Sequence, residues 1–257
     1  MDISVNGPKI YFEIPIFGGI RITQTTVSLL AVTILLIVMA CLVTRRLSKR
    51  PGRMQVIVEK LITMLYGLVE DTMGAHNLVF APYIGTLFLS SVFGTLIGMT
   101  QIFRSTTADF SVTLAWALVT SVMVWYHNIK NFGFKTWLKG FTEPIVVMTP
   151  MNIISEIAQP ISMAFRHFGN VAGGSVLTSL IYGALAALTS LVFSWLPQAV
   201  AAAFPPIFQV GIPAFLSIYF DLFSGFVQAL VFCLLTMVYV GGACPPPAER
   251  PQKQKSE

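Results

Sequence analysis

Residues 153–195 read IISEIAQPISMAFRHFGNVAGGSVLTSLIYGALAALTSLVFSW. The stretch holds one acid, Glu156, and one permanent cation, Arg166. At about 1.5 Å per residue, a helix over this run is longer than the roughly 30 Å hydrocarbon core of a bilayer. So long an apolar run decides the class: it is a membrane-spanning helix. An arginine deep inside such a helix costs at least about 2.5 kcal/mol on insertion, and this one is too deep for easy snorkelling. It could lock two helices together by pairing with a buried carboxylate. The more usual meaning of an intramembrane ionisable group is an ion path.

The rest of the chain agrees with this reading. Of 257 residues, 55% are hydrophobic and only 11% charged, against about 25% charged in soluble domains. The mean hydropathy is +0.75. Further apolar runs cover Thr25 to Val43, about Leu78 to Ile102, about Phe110 to Tyr126 and about Ile207 to Val240. Met54 to Gly74 differs, because Val56, Ile57, Leu61, Ile62, Met64, Leu65 and Leu68 alternate with Gln55, Glu59, Lys60, Glu70 and Asp71 at helical spacing. That pattern predicts an amphipathic helix on a membrane surface or against a partner. The fold class expected is an all-α integral membrane protein, with about five membrane helices, the last two long, plus the surface helix. No internal repeat of the kind that marks many transporters is visible.

Charge sets the expected orientation. Arg45, Arg46, Lys49, Arg50, Arg53, Lys60, Lys130, Lys135, Lys139, Arg250, Lys253 and Lys255 fall on one side of the five spans, and only Lys9, Arg21 and Arg104 on the other. The basic side is the cytoplasmic one. Residues 1–24 are then an external segment, 25–244 a single polytopic membrane domain, and 245–257 a disordered cytoplasmic tail rich in proline and polar residues. The expected location is the bacterial inner membrane, with the N-terminus outside. The opening residues do not read as a signal peptide: Asp2 and Glu13 lie where an apolar core would be needed. A net charge of +5 does not imply nucleic acid, because the cations sit in short loops between spans. Cys41, Cys233 and Cys244 suggest neither a disulfide framework nor a metal site, and no cofactor is expected.

Two polar stripes accompany the arginine. Ser162, Arg166, Gly169, Asn170 and Gly173 recur at spacings of three and four and share one helix face. Gly169 and Gly173 form a G-x-x-x-G pair suited to close helix approach. In the last run, Ser217, Asp221, Ser224, Gly225 and Gln228 make a second stripe. The two runs point in opposite directions. Glu156 therefore lies inward of Arg166 by about 15 Å, while Ser175 and Asp221 lie outward. A continuous cation pore would not carry a fixed positive charge at its neck. Two half-channels separated by a charge barrier would.

At these residues the chain resembles subunit a of the F-type ATP synthases, bacterial type. PISMAFRHFGN (Pro160 to Asn170) resembles that family's Pro-hydrophobic-Ser-x-x-x-Arg-x-Phe-Gly-Asn. PMNIISEIAQP (Pro150 to Pro160), YFDLFSGFVQALVF (Tyr219 to Phe232) and FAPYIGTLF (Phe80 to Phe88) are similar as well. The resemblance implies that Arg166 faces a rotating c-ring, with Asn170 and Gln228 as polar neighbours. It implies that Asp221 belongs to the outer half-channel and Glu156 to the inner one, and that the last two helices are tilted. It also implies a ring interface holding Ser162, Gly169, Gly173, Ser217, Ser224 and Gly225. The implied partners are the c-ring, the peripheral stalk subunit b, the remaining ATP synthase subunits and membrane lipid. Two departures stand out: His167 follows the arginine where leucine is usual, and Ser175 stands where many members have an acid or a histidine.

The function expected is a stator channel that passes H+ or Na+ to and from ring carboxylates, with no catalytic chemistry of its own. No G-x-x-x-x-G-K-[ST] nucleotide loop is present. The alternative is a stand-alone secondary transporter that uses Arg166 to bind an anion. A purely structural membrane anchor would explain the surface helix but not the two polar stripes.

Overall fold

The computed structural model describes residues 10–15, 20–45, 47, 51–100, 102–143, 145–192 and 218–246. Helices dominate, and five are long and apolar enough to cross a bilayer: Gln24–Thr44, Ala75–Met99, Phe110–Phe132, Val146–Val192 and Leu222–Ala243. Before the first of them lies a short antiparallel hairpin, β1 (Ile10–Ile14) with β2 (Ile20–Thr23), which the sequence reading did not anticipate.

Helix α1 (Gln24–Thr44) starts at Thr23, whose hydroxyl accepts from the Thr26 amide. Only its first turns are buried, at Thr25, Ser28 and Val32. The remaining aliphatic surface is open, as a lipid-facing helix requires. Helix α2 (Arg53–Met73) is the amphipathic one. Val69 and Met73 enter the core, while Met54, Ile57, Leu61 and Met64 stay exposed. It stops at Gly74, which takes φ 83°, a left-handed conformation that favours glycine. A 3₁₀ turn (Ala75–Phe80) leads into α3 (Ala81–Met99).

The loop after α3 folds back against it. A Cβ on Gly94 would collide with Thr106 Oγ1, and one on Gly98 would lie 2.7 Å from Ser105 Cβ. Both glycines are therefore required by close approach. Helix α4 (Phe110–Phe132) begins with Asp109 accepting from the Ser111 amide and ends at Gly133, with φ 87°. A short α5 (Phe134–Gly140) follows.

Helix α6 runs Thr149–Val192 with Pro160 inside it. Its 44 residues span about 66 Å at 1.5 Å each, so it must cross obliquely or project beyond the bilayer. After a π-helical turn (Ile218–Ser224), α7 covers Gly225–Ala243. The part of the last apolar run before residue 218 lies outside the described residues, as does most of the tail expected at 245–257.

The core joins α2, α3, α4, α6 and α7 through Val69, Ile84, Ala117, Met163, Phe232 and Met237 among others. Side chains fix the end of α7. The Ala243 carbonyl accepts from Asn131 Nδ2 on α4 at 2.8 Å, and the Cys244 carbonyl accepts from Asn77 Nδ2 at 3.0 Å and lies 2.8 Å from His76 Nε2. Those carbonyls have no partner within their own helix.

Candidate functional site

The two sides of α6 are chemically different. Met163, Ala164, His167 and Val171 are buried against the rest of the chain. Ser162, Arg166, Gly169 and Gly173 lie on the exposed side, as the spacing predicts. A Cβ on Gly169 or Gly173 would have nothing within 4 Å. No described helix of this chain uses the G-x-x-x-G approach, and the surface beside Arg166 stays open. Arg166 makes no hydrogen bond or ion pair to any described residue.

Asn170 ties α6 to the π-helical turn that opens the last helix. Its Nδ2 donates to the Ser224 carbonyl at 3.0 Å, and its Oδ1 accepts from the Ser224 hydroxyl at 2.7 Å. Gln228 lies one turn beyond Ser224 and is half-buried, with Nε2 unpartnered. Gly225, expected at a ring interface, is instead buried inside the chain: a Cβ there would meet Thr95 Cγ2 at 2.7 Å. Its role here is to let α7 approach α3. Ser217 lies outside the described residues, and so do the side chains of Ser175 and Asp221. Their backbones, in α6 and in the π-helical turn, are described.

Glu156 is half-buried and accepts a hydrogen bond from Trp125 Nε1 on α4. It lines a cavity of about 480 Å³ with Asn128, Glu143, Asn152 and Ser155. At the rim Lys139 and Glu143 form an exposed ion pair at 3.5 Å. A second cavity, about 280 Å³, is lined by Ser155, Gln159, Ser162 and Arg166 from α6 and by Leu235 and Tyr239 from α7. Ser155 belongs to both. The two cavities therefore follow one another along α6 from Glu143 and Glu156 up to the guanidinium. Among the described residues, no three His, Cys, Asp or Glu side chains meet as metal ligands.

The sequence reading noted His167 only as a departure. In the structure its imidazole is fully buried. Nε2 lies 2.9 Å from the Ser91 hydroxyl of α3, and the ring packs 5.3 Å from the Phe232 ring and 6.1 Å from Trp116. Nδ1 has no partner. The signal was present, since one residue is about 100° of helix rotation. If Arg166 faces outward, its neighbour is turned towards the bundle. Trp125 gave no such signal, because its position opposite Glu156 depends on how α4 packs on α6.

Over residues 25–241 the chain matches the family described as ATP synthase A chain. It is 33% identical over 242 residues to ATP synthase subunit a 1 of Crocosphaera subtropica, with 93% of each chain covered. It is 30% identical over 270 residues to the sodium ion specific ATP synthase subunit a of Propionigenium modestum, covering 93% of this chain and 86% of the relative. A third relative, ATP synthase subunit a of Bacillus subtilis, is 30% identical over 234 residues, covering 87% of this chain and 93% of the relative.

Proposed function

This chain belongs to the ATP synthase A chain family, and we propose that it forms two offset half-channels that meet at Arg166 against the carboxylates of a c-ring. As a family member it is a multi-pass, non-catalytic, ion-translocating subunit of an ATP synthase. That membership sets aside the stand-alone transporter. The observation that carries the proposal is the pair of cavities sharing Ser155, which ends on Arg166. Water-sized space next to Glu156 and Ser155 suits an inner half-channel. The guanidinium at its end holds a deprotonated ring carboxylate by charge attraction, which is strong where water is scarce. The same charge repels an ion that would cross without riding the ring.

The exposed stripe of Ser162, Arg166, Gly169 and Gly173 is the surface offered to the ring. Asp221 and Ser175 are assigned to the outer half-channel, with Gln228 and Asn170 beside the junction. The one-sided Lys and Arg distribution supports a cytoplasmic C-terminus and an external N-terminus. The exposed apolar side chains of α2 suit lipid or the stalk subunit b. The coupling ion in this reading is H+ or Na+; the Propionigenium modestum relative is named for sodium.

Replacing Arg166 tests the reading. Arg166→Ala should lower coupled ATP synthesis by at least about 100-fold, the scale of losing a preorganised charge from a water-poor site. It should raise passive ion leak through vesicles holding the membrane sector without its catalytic head. Arg166→Lys should fail largely as well, because an ammonium is compact and loses its proton more readily when buried. Normal synthesis in an assembled Arg166→Ala complex would overturn the charge barrier.

A further inference from the structure

Arg166 makes no bond to any described residue, so nothing on its own side of α6 aims it. Its direction follows from the rotation of α6 about its axis. Side chains end about 5–6 Å from a helix axis, so a turn of about 20° would carry the guanidinium about 2 Å sideways. A misplacement of about 1 Å can cost on the order of 100-fold where chemistry depends on position.

The helix is not stiff at this point. Pro160 has no N–H, so the Glu156 carbonyl four residues back gains no helix bond, and the segment after Pro160 can turn against the segment before it. The later segment therefore depends on its own contacts with the bundle. Most of these are apolar. Met163, Ala164 and Val171 are buried, and Phe165 and Phe168 pack 4.6 and 5.8 Å from the Phe110 ring. Apolar contact is non-directional and resists a small turn weakly.

His167 is different. Its Nε2 lies 2.9 Å from the Ser91 hydroxyl of α3, and both residues are at most 1% exposed. The ring packs against Trp116 of α4 and Phe232 of α7, and the Gln228 backbone of α7 lies beside it. Ser91 is itself in a held stretch of α3. Thr95 Oγ1 donates to the Ser91 carbonyl at 3.0 Å and lies 3.1 Å from Thr107 Oγ1 in the following loop. A hydrogen bond weakens steeply as its angle departs from the ideal, and a buried group that loses its partner stays unsatisfied. The imidazole is thus a directional contact one residue, or about 100° of helix rotation, from Arg166. Asn170 supplies a second through Ser224. Packing alone would need only an apolar side chain of similar size at position 167. A buried polar ring costs desolvation, and what it adds is direction.

We propose that His167 is a positioning residue for Arg166: its bond to Ser91 fixes the rotation of α6 and so keeps the guanidinium turned to the ring. The inference rests on the charge-barrier reading above and names what aims the charge.

The test uses vesicles holding the assembled membrane sector with its ring. Coupled ATP synthesis is read with the catalytic head restored, and passive ion leak with the head removed. His167→Leu keeps the bulk and loses the bond. Ser91→Ala removes the same bond from the other side. Each should lower synthesis by at least about tenfold and raise leak, with assembly on blue-native gels unchanged. His167→Gln offers an amide nitrogen near the place of Nε2, and Ser91→Thr keeps the hydroxyl. Both should restore most of the synthesis, which a packing role would not require. The deciding measurement is leak in an Arg166→Ala background. There, adding His167→Leu should change leak by less than about twofold, because two residues acting through one charge are not additive. A further rise as large as the one seen with Arg166 present would show that His167 acts by packing, and overturns the proposal. Wild-type synthesis in His167→Leu overturns it too, as does failure of both His167→Leu and Ser91→Ala to assemble. If Ser91→Ala alone fails to assemble, His167→Leu gives the reading. Normal synthesis and no added leak in Arg166→Ala would sink the charge barrier, and the positioning with it. Raised leak in Arg166→Ala beside wild-type behaviour in His167→Leu and Ser91→Ala would remove the positioning alone.

Discussion

The two halves of the bundle on either side of Arg166 are built differently. Towards α5, the space beside α6 is open: two cavities of about 480 and 280 Å³ succeed one another, and Glu156 is held by a single tryptophan. Towards the loop between α3 and α4, polar groups are as plentiful but closed upon each other. Ser105 donates to the Gly94 carbonyl and lies 2.9 Å from Thr107, which lies 3.1 Å from Thr95. Thr95 donates to the Ser91 carbonyl, the Ser91 hydroxyl lies 2.9 Å from His167, and glycines press the loop onto the helix. The contrast is one of packing: beside Glu156 the bundle leaves water-sized space, whereas around His167 the polar side chains are buried and bonded to one another or to backbone carbonyls.

Solvent access should break the comparison most directly. In a chain freed of Cys41, Cys233 and Cys244, a cysteine at Ser155 should react with a water-soluble thiol reagent at least about tenfold faster than one at Ser91, because thiolate reactivity requires exposure. Equal labelling rates would show that both halves are hydrated alike. The next effect is on stability. Gly94→Val drives a side chain into Thr106 and should cost about 1–3 kcal/mol, the range for overpacking, read as a lower unfolding midpoint in detergent. Gly169→Val meets nothing within the chain. It should leave that midpoint within about 0.5 kcal/mol of wild type and weaken co-purification with the ring instead. Loss of midpoint in both variants would contradict the division of α6 into an inner and an open face. The smallest change expected is from Trp125→Phe, which removes the hydrogen bond to Glu156. In an open cavity water can replace that donor almost as well, so passive flux should fall by no more than about threefold. A much larger fall would show that the tryptophan governs access to the carboxylate.

Much of this could be read from the sequence, and the parts that could not have physical causes. Long uncharged runs set the five spans, and the structured boundaries at Gln24–Thr44 and Arg53–Met73 lie within a residue or two of those expected. Spacing placed Ser162, Arg166, Gly169 and Gly173 on one face because they share a single helix. Pairings between helices had no such guide. Ser90 and Ser91 are indistinguishable as letters, yet only Ser91 reaches His167. The pairing of Asn170 with Ser224 depends on the crossing of α6 and the last helix. Gly225 shared a stripe with Gln228 by spacing, but the approach of α3 took it for packing. The β1–β2 hairpin escaped notice because its strands are short and separated by only a few residues.

The carbonyls that finish α7 carry a mechanical consequence. Asn131, Asn77 and His76 grip Ala243 and Cys244 from two other parts of the chain. If α7 borders the turning ring proposed above, it receives a sideways push with every step. Were its end free, the load would be spent in bending the helix and the last turn would fray. Tied at that end to α4 and to the segment following α2, α7 is a braced strut, and a sideways load on it would pass into both of those neighbours.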